Sequence, residues 1–254
     1  MIGAITGDIV GSIYEGADFK SKDFPFFGPG CRFTDDTVCT VAVADCLMND
    51  GDFADYLRNY VGRYPYRGYG GMFRQWAFSD MGPYNSWGNG SAMRVSPVAY
   101  VARDEDDLMA LAERSSAVTH DHPSAIRGAQ AIALTMWMAM AGTGPDTIRQ
   151  EITQRFGYNL SRTVDEIRPD YEFDVSCSGT VPQAITCALD ATSFEDAIRN
   201  AISLGGDADT LACITGGIAE VMFGVPSEIA ETARGYLTVE LLDVVDRFAD
   251  FVQA

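Results

Sequence analysis

The sequence predicts an all-α protein of one domain. Three observations carry that expectation. Apolar residues recur at spacings of three and four. No clear period-two run stands between turn signals. Ala, Met and Leu supply much of the apolar content. At 254 residues the chain has ample length for one buried core, and the expected domain is 1–254.

The first helix is expected over 36–50, "DTVCTVAVADCLMND", ending at Gly51. "DFADYLRNYVGRY" (52–64) repeats apolar positions at helical spacing. The stretch 63–89 is rich in Gly, Tyr, Pro and Trp and reads as a long irregular binding loop. A helix over 104–120 opens with four acids, which suit the positive end of a helix dipole. The segment 122–142 has Pro123 near its start and Gly142 at its end, and is apolar nearly all round, as a central helix would be. Further helices are expected over 145–156, 179–190, 193–204, 208–223, 227–235 and 238–252.

Lys and Arg number 18 and Asp and Glu 36, a formal charge of −18. Such a surface argues against nucleic acid or an anionic membrane as the main partner. It leaves carboxylates available for cations. The six cysteines form no CxxC pair and read as reduced and buried. The start "MIGAITGDIVGSIYEG" lacks the basic and long apolar stretches of a signal peptide, and the longest apolar run is too short to span a bilayer. A soluble, cytoplasmic protein is expected.

Three segments concentrate acids beside glycines. They are "GDIVGSIYEG" (7–16) with Asp8 and Glu15, "TDDT" (34–37), and "LGGDADT" (204–210). Each fits a capped helix start taken alone, but one cap needs one carboxylate, and the second and third segments each hold two acids and a threonine. If Glu15, Asp35, Asp36, Asp207 and Asp209 converge, each pair of charges a few ångströms apart repels by about 4 kcal/mol at an effective dielectric near 20. Two divalent ions would nearly neutralise them. Carboxylate and hydroxyl oxygens suit Mg²⁺, Mn²⁺ or Ca²⁺, and with only two histidines a zinc site is not expected. Other acid motifs fit poorly. "DADTL" lacks the strand and the following hydroxyl or Val of haloacid-dehalogenase-type phosphatases, "DDTVC" lacks the third Asp of a prenyl-diphosphate site, and His120-Asp121 lacks the histidines of an HD phosphohydrolase.

These segments, with "SWGNGSAMR" (86–94), "THDHP" (119–123) and "GTVPQAITCALD" (179–190) between them, resemble in order and spacing the ADP-ribosylglycohydrolase family over nearly the whole chain. The resemblance implies a compact orthogonal helical bundle with two divalent cations, Mg²⁺ or Mn²⁺, at the base of a cleft. It implies hydrolysis of the glycosidic bond at C1 of the distal ribose of ADP-ribose, carried on a modified protein, a nucleobase or a small molecule. By the same resemblance Thr34, Asp35, Asp36, Asp207, Asp209 and Thr210 are the metal ligands. Asp35 and Asp209 are the expected bridges or direct ligands, and Glu15 a metal-coupled gate or acid-base. Ser86, Trp87, Gly88, Asn89, Gly90, Ser91 and Met93 form the loop that holds the diphosphate, with Trp87 beside the adenine and His120 near the diphosphate or ribose. Gly88 and Gly90 let backbone N–H groups approach, and a helix starting near Ser91 would present its positive end to phosphate. The competing expectations are an inactive ADP-ribose-binding module and a structural protein.

Overall fold

The computed structural model describes residues 1–253, so Ala254, the last residue of the expected domain, lies outside the described residues. Among the described residues, fifteen helices and no strand make up the fold. In the first half these are α1 (Ile2–Gly11), α2 (Asp35–Met48), α3 (Phe53–Arg63), α4 (Gly71–Ala77), α5 (Gly90–Met93), α6 (Val98–Val101), α7 (Glu105–Ala117) and α8 (Pro123–Met140). The second half adds α9 (Pro145–Phe156), α10 (Val164–Ile167), α11 (Cys177–Leu189), α12 (Phe194–Ile202), α13 (Ala208–Phe223), α14 (Ser227–Arg234) and α15 (Val239–Phe251).

Most helix starts follow from side-chain caps. Asp52, Asp104, His122, Thr163, Ser176, Ser193 and Thr238 each accept a backbone N–H from the first turn of the helix they precede. Pro at the first position opens α8 and α9, and Gly157, left-handed at φ 73°, closes α9. Helix α13 is buried along most of its length and α8 through its middle, residues 131–136, as their largely apolar sequences require.

The centre of the molecule is the crossing of α1 and α13, with α8, α11 and α12 packed around α13. Helix α1 carries glycines at 3, 7 and 11, one every fourth residue, on the face turned to α13. A Cβ on Gly7 would sit 1.9 Å from the Ala212 carbonyl oxygen, so the two backbones touch there. This contact sets where Asp8 stands relative to Asp209, and so shapes the site.

The fold adds α1, α4, α6 and α10 to the helices expected from the sequence, and moves the start of α11. No helix was expected over a stated range before residue 36, whereas residues 2–11 are helical. Three glycines lower helix propensity by about 1 kcal/mol each, and packing against α13 overrides that cost. The expected irregular stretch 63–89 contains α4, anchored by buried Phe73 and Trp76. Pro182 lies inside α11, which starts two residues earlier than expected.

Candidate metal centre and cleft

A cleft of about 570 Å³ opens where the starts of α2, α4, α5 and α13 converge. Its floor is acidic. Glu15, Asp35, Asp36, Asp207, Asp209 and Thr210 all line it.

At the start of α2 the cap is Thr34, whose Oγ1 accepts the Asp36 N–H at 3.3 Å. Neither aspartate is needed as a cap. Thr34 also donates twice to Asp8, from N at 2.9 Å and from Oγ1 at 2.6 Å. Thr37 adds its N–H at 3.1 Å and its hydroxyl. Asp8 is therefore a fully buried carboxylate taking four hydrogen bonds, and it fixes the first turn of α2 to α1. The Asp35 N–H is held by the Arg67 carbonyl at 2.8 Å. Asp36 is 2 % exposed, and its Oδ1 has no hydrogen-bond partner. A buried carboxylate oxygen left unpaired is costly unless something positive completes it.

The start of α13 repeats the pattern. Asp207 occupies the N-cap position but makes no side-chain cap bond. Instead its Oδ2 accepts from Asn89 Nδ2 at 2.6 Å. Thr210 donates its backbone N–H to Asp209 at 2.9 Å and reaches Asp36 Oδ2 through Oγ1 at 3.4 Å. Gly206, left-handed at φ 71°, ties this corner to the Glu15 segment. Its carbonyl accepts from Gly16 N at 2.8 Å, and its N–H donates to Ala17 at 3.2 Å.

The acids gather into two trios, Asp8–Asp36–Asp209 and Glu15–Asp207–Asp209, whose ligand oxygens lie within 4.8 Å of one another in each. Oxygens on opposite sides of a Mg²⁺ or Ca²⁺ ion lie about 4–5 Å apart, so each trio has the span of a cation site. Asp209 belongs to both. Asp35 falls in neither trio but faces the same floor.

The electrostatics agree with the geometry. Burial raises the Asp8 carboxyl, with its four hydrogen bonds pulling the other way. Burial and then the Asp8 charge push Asp35 up to about 8. Asp36 is raised well above the carboxylate range by burial, then by the Asp8 and Asp35 charges, and Asp209 by burial, then by the Asp36 and Asp207 charges. Asp207 is raised by burial and eased by Asn89. Glu15 stands at the mouth with its carboxyl end in the cleft, raised by that partial burial and then by Asp207. So many crowded carboxylates must share protons or take up cations. With hard oxygen donors and an orphaned oxygen on Asp36, divalent cations fit this floor.

The glycine loop forms the opposite wall. It is pinned to the chain before α11 by two backbone bonds, Asn89 N–H to Val175 O at 2.8 Å and Cys177 N–H to Trp87 O at 3.1 Å. Ser86, Trp87, Gly88, Asn89, Gly90, Met93 and His120 line the cleft. Trp87 is 52 % exposed, so it projects over the opening rather than anchoring the loop from within. Ser91 is fully buried and donates to the Ala125 carbonyl, which locks α5 to α8 and turns its hydroxyl away from the cleft. Helix α5 is a single turn of four residues.

Asp8 and Arg94 were absent from the expected site set. Asp8 was visible as an acid in the first segment, but nothing showed that residues 2–11 are helical and place it under Asp36. Phe173 and Val175, exposed apolar residues on the lip, carry no signal in their stretch of sequence.

The sequence pattern of the ADP-ribosylglycohydrolase family matches residues 1–253. The chain belongs to the ADP-ribosylglycohydrolase family. Among similar proteins in this family of hydrolases is the human ADP-ribosylhydrolase ARH3, 24% identical, with 95% of this chain and 90% of that protein covered. The zebrafish (Danio rerio) ADP-ribosylhydrolase ARH3 is 24% identical over 89% of this chain and 82% of its own. The ADP-ribosylarginine hydrolase Tri1 of Pseudomonas putida is 26% identical over 89% and 70%. The solved ADP-ribosylglycohydrolase-related protein complex superposes with a TM-score of 0.70 at 24% identity, covering 96% of this chain and 94% of that one. The all-α fold is thus that of the ADP-ribosylglycohydrolases. No described helix of this family member is long and apolar enough to cross a membrane.

Proposed function

We propose that the protein is a metal-dependent hydrolase that cleaves the glycosidic bond at C1 of the distal ribose in ADP-ribosylated substrates, and so reverses ADP-ribosylation. The observation that carries this reading is the pair of carboxylate trios sharing Asp209 on the floor of a cleft whose far wall is a glycine loop. Relatives named for hydrolysis of ADP-ribosyl groups support the substrate class. In this reading the ADP-ribose is carried on a modified protein, a nucleobase or a small molecule, and the protein works in the cytoplasm.

In this reading Thr34, Asp35, Asp36, Asp207, Asp209 and Thr210 hold two divalent cations, Mg²⁺ first and Mn²⁺ as the alternative. Asp8 joins them through its trio with Asp36 and Asp209, while its oxygens also fix Thr34 and Thr37 by hydrogen bonds. When bound, the cations supply charge neutralisation, a hold on vicinal hydroxyls and a lowered water pKa. Glu15, at the mouth beside Asp207, handles the proton at the scissile bond, since a raised carboxyl can give as well as take one. The surrounding carboxylates stabilise positive charge that builds on the ribose as the bond breaks. Ser86, Trp87, Gly88, Asn89, Gly90, Met93 and His120 grip the remainder of the nucleotide, while Ser91 holds their loop in place.

The test is a panel of peptides ADP-ribosylated on arginine or serine, and an ADP-ribosylated nucleobase, offered to chelator-stripped protein with Mg²⁺ or Mn²⁺ restored. Release of free ADP-ribose from at least one substrate is expected. Tight ADP-ribose binding with no release from any of them would instead identify an inactive binding module.

A further inference from the structure

Arg94 is fully buried, yet no carboxylate pairs with it among the described residues. Its Nη2 donates to the carbonyls of Ser115 at 2.8 Å and Ser116 at 3.3 Å, in the last turn of α7, where the helix dipole is negative. The same Nη2 donates to Thr119 Oγ1 at 2.9 Å. Thr119 is also fully buried, and its Oγ1 lies 2.7 Å from His120 Nδ1. His120 is 5 % exposed, set between Phe73 and Tyr84 at centroid distances of 6.5 and 6.1 Å.

These contacts fix the protons. A guanidinium only donates, so Thr119 Oγ1 accepts from Arg94. The hydroxyl has one proton left to give, and His120 Nδ1 is its one acceptor among the described residues. Were Nδ1 protonated, the Thr119 proton would be buried with no acceptor, at a cost of about 1–3 kcal/mol. Nδ1 is therefore the acceptor and Nε2 carries the hydrogen. Nε2 is aimed at the glycine loop. A Cβ on Gly90 would lie 3.0 Å from it, and one on Gly88 3.5 Å. No side chain or backbone group among the described residues bonds to it.

We infer that Arg94 and Thr119 are positioning residues that hold His120 as the Nε2–H tautomer, a single neutral hydrogen-bond donor aimed across Gly88 and Gly90 at an anionic oxygen of the bound nucleotide. The inference rests on the proposed ADP-ribose site for the identity of that oxygen, but not for the tautomer. Burial and the nearby Arg94 charge both keep the ring neutral, so the donor is present without a second proton. Arg94, itself held by three acceptors, also places a buried positive charge at this wall, opposite the acidic floor.

The chain has two histidines, which makes the test direct. Long-range proton–nitrogen correlation spectra of ¹⁵N-labelled protein, with His122→Gln to assign the pair, read the tautomer of His120. The expected pattern is Nε2–H in the wild type, a shift to Nδ1–H or a mixture in Thr119→Val, and recovery in Thr119→Ser. Calorimetry with ADP-ribose and Mg²⁺ should show Kd raised about tenfold in Thr119→Val and restored in Thr119→Ser. An Nδ1–H ring in the wild type, or a Thr119→Val protein with unchanged tautomer, would overturn the relay. A changed tautomer with unchanged Kd would overturn the donor role. Wild-type protein that binds no ADP-ribose would count against the proposed function, and the spectra would still decide the tautomer.

Discussion

Asp209 is the residue on which the site turns, because it contributes to both trios. Asp209→Asn should lower turnover by about a thousandfold or more, while the helical circular dichroism stays unchanged. In chelator the variant should melt no lower than the wild type, since the amide replaces a carboxyl that burial and Asp36 disfavour as an anion. In Mg²⁺ it should lose the stabilisation that the wild type gains. A variant that melts well below the wild type in chelator would show that Asp209 is structural. Asp35→Ala should likewise remove turnover and keep the fold. Trp87, half exposed on the lip, should contribute to binding alone. Trp87→Ala is expected to raise KM about tenfold with little change in melting temperature. At this scale the sequence was informative about types. "TDDT" and "GGDADT" held more carboxylates than a cap can use, and the structure shows Thr34 doing the capping at the first. Which acids meet was not legible. Asp8 entered through a helix crossing, and Ser91 left the cleft by bonding to Ala125.

The crossing of α1 and α13 is the element that sets the carboxylate spacing. Gly7→Ala drives a methyl into the Ala212 carbonyl and should destabilise the protein by about 3 kcal/mol or more, read as a lowered urea midpoint. Gly62, in α3 with open space around it, is the control. Gly62→Ala should stabilise by about 0.5–1 kcal/mol, the helix propensity gain. Equal effects at the two positions would mean that the close approach does not hold the fold. Long helices such as α8, α9 and α13 could be read from periodicity and punctuation, and two of them begin and end at the expected residues. Helix α1 could not. Its information is a spacing of glycines whose meaning depends on a partner more than 200 residues away in the chain.

The molecule as a whole carries an excess of negative charge, and its most crowded part is buried. That combination predicts how stability responds to pH. In the unfolded chain aspartates release their protons near pH 4, whereas folded Asp35 keeps its proton to about 8 and its neighbours are raised with it. The folded state then binds more protons than the unfolded state, so stability in chelator should fall as pH rises through that interval. Neutral, buried His120 opposes this below about pH 6.5, its unfolded value. The fall should therefore be clearest from about pH 6.5 to 8. Surface carboxylates such as Asp107, held at about 2 by Arg103, act in the opposite sense but only below pH 4. Saturating Mg²⁺ should lessen the fall, because cations replace the shared protons. A melting temperature in chelator that rises across pH 6.5 to 8 would contradict this. Composition and charge were plain in the sequence, and so was the all-α class. The burial of the charge was not, because it depends on where three separate segments meet.

The central claim is that the floor of the cleft holds two cations through a shared aspartate. The most direct measurement is a Mn²⁺ titration of chelator-stripped protein followed by electron paramagnetic resonance. The account predicts two Mn²⁺ per chain, magnetically coupled in the wild type, with both the second ion and the coupling lost in Asp209→Asn. No bound Mn²⁺, or two uncoupled ions that persist in Asp209→Asn, would contradict it.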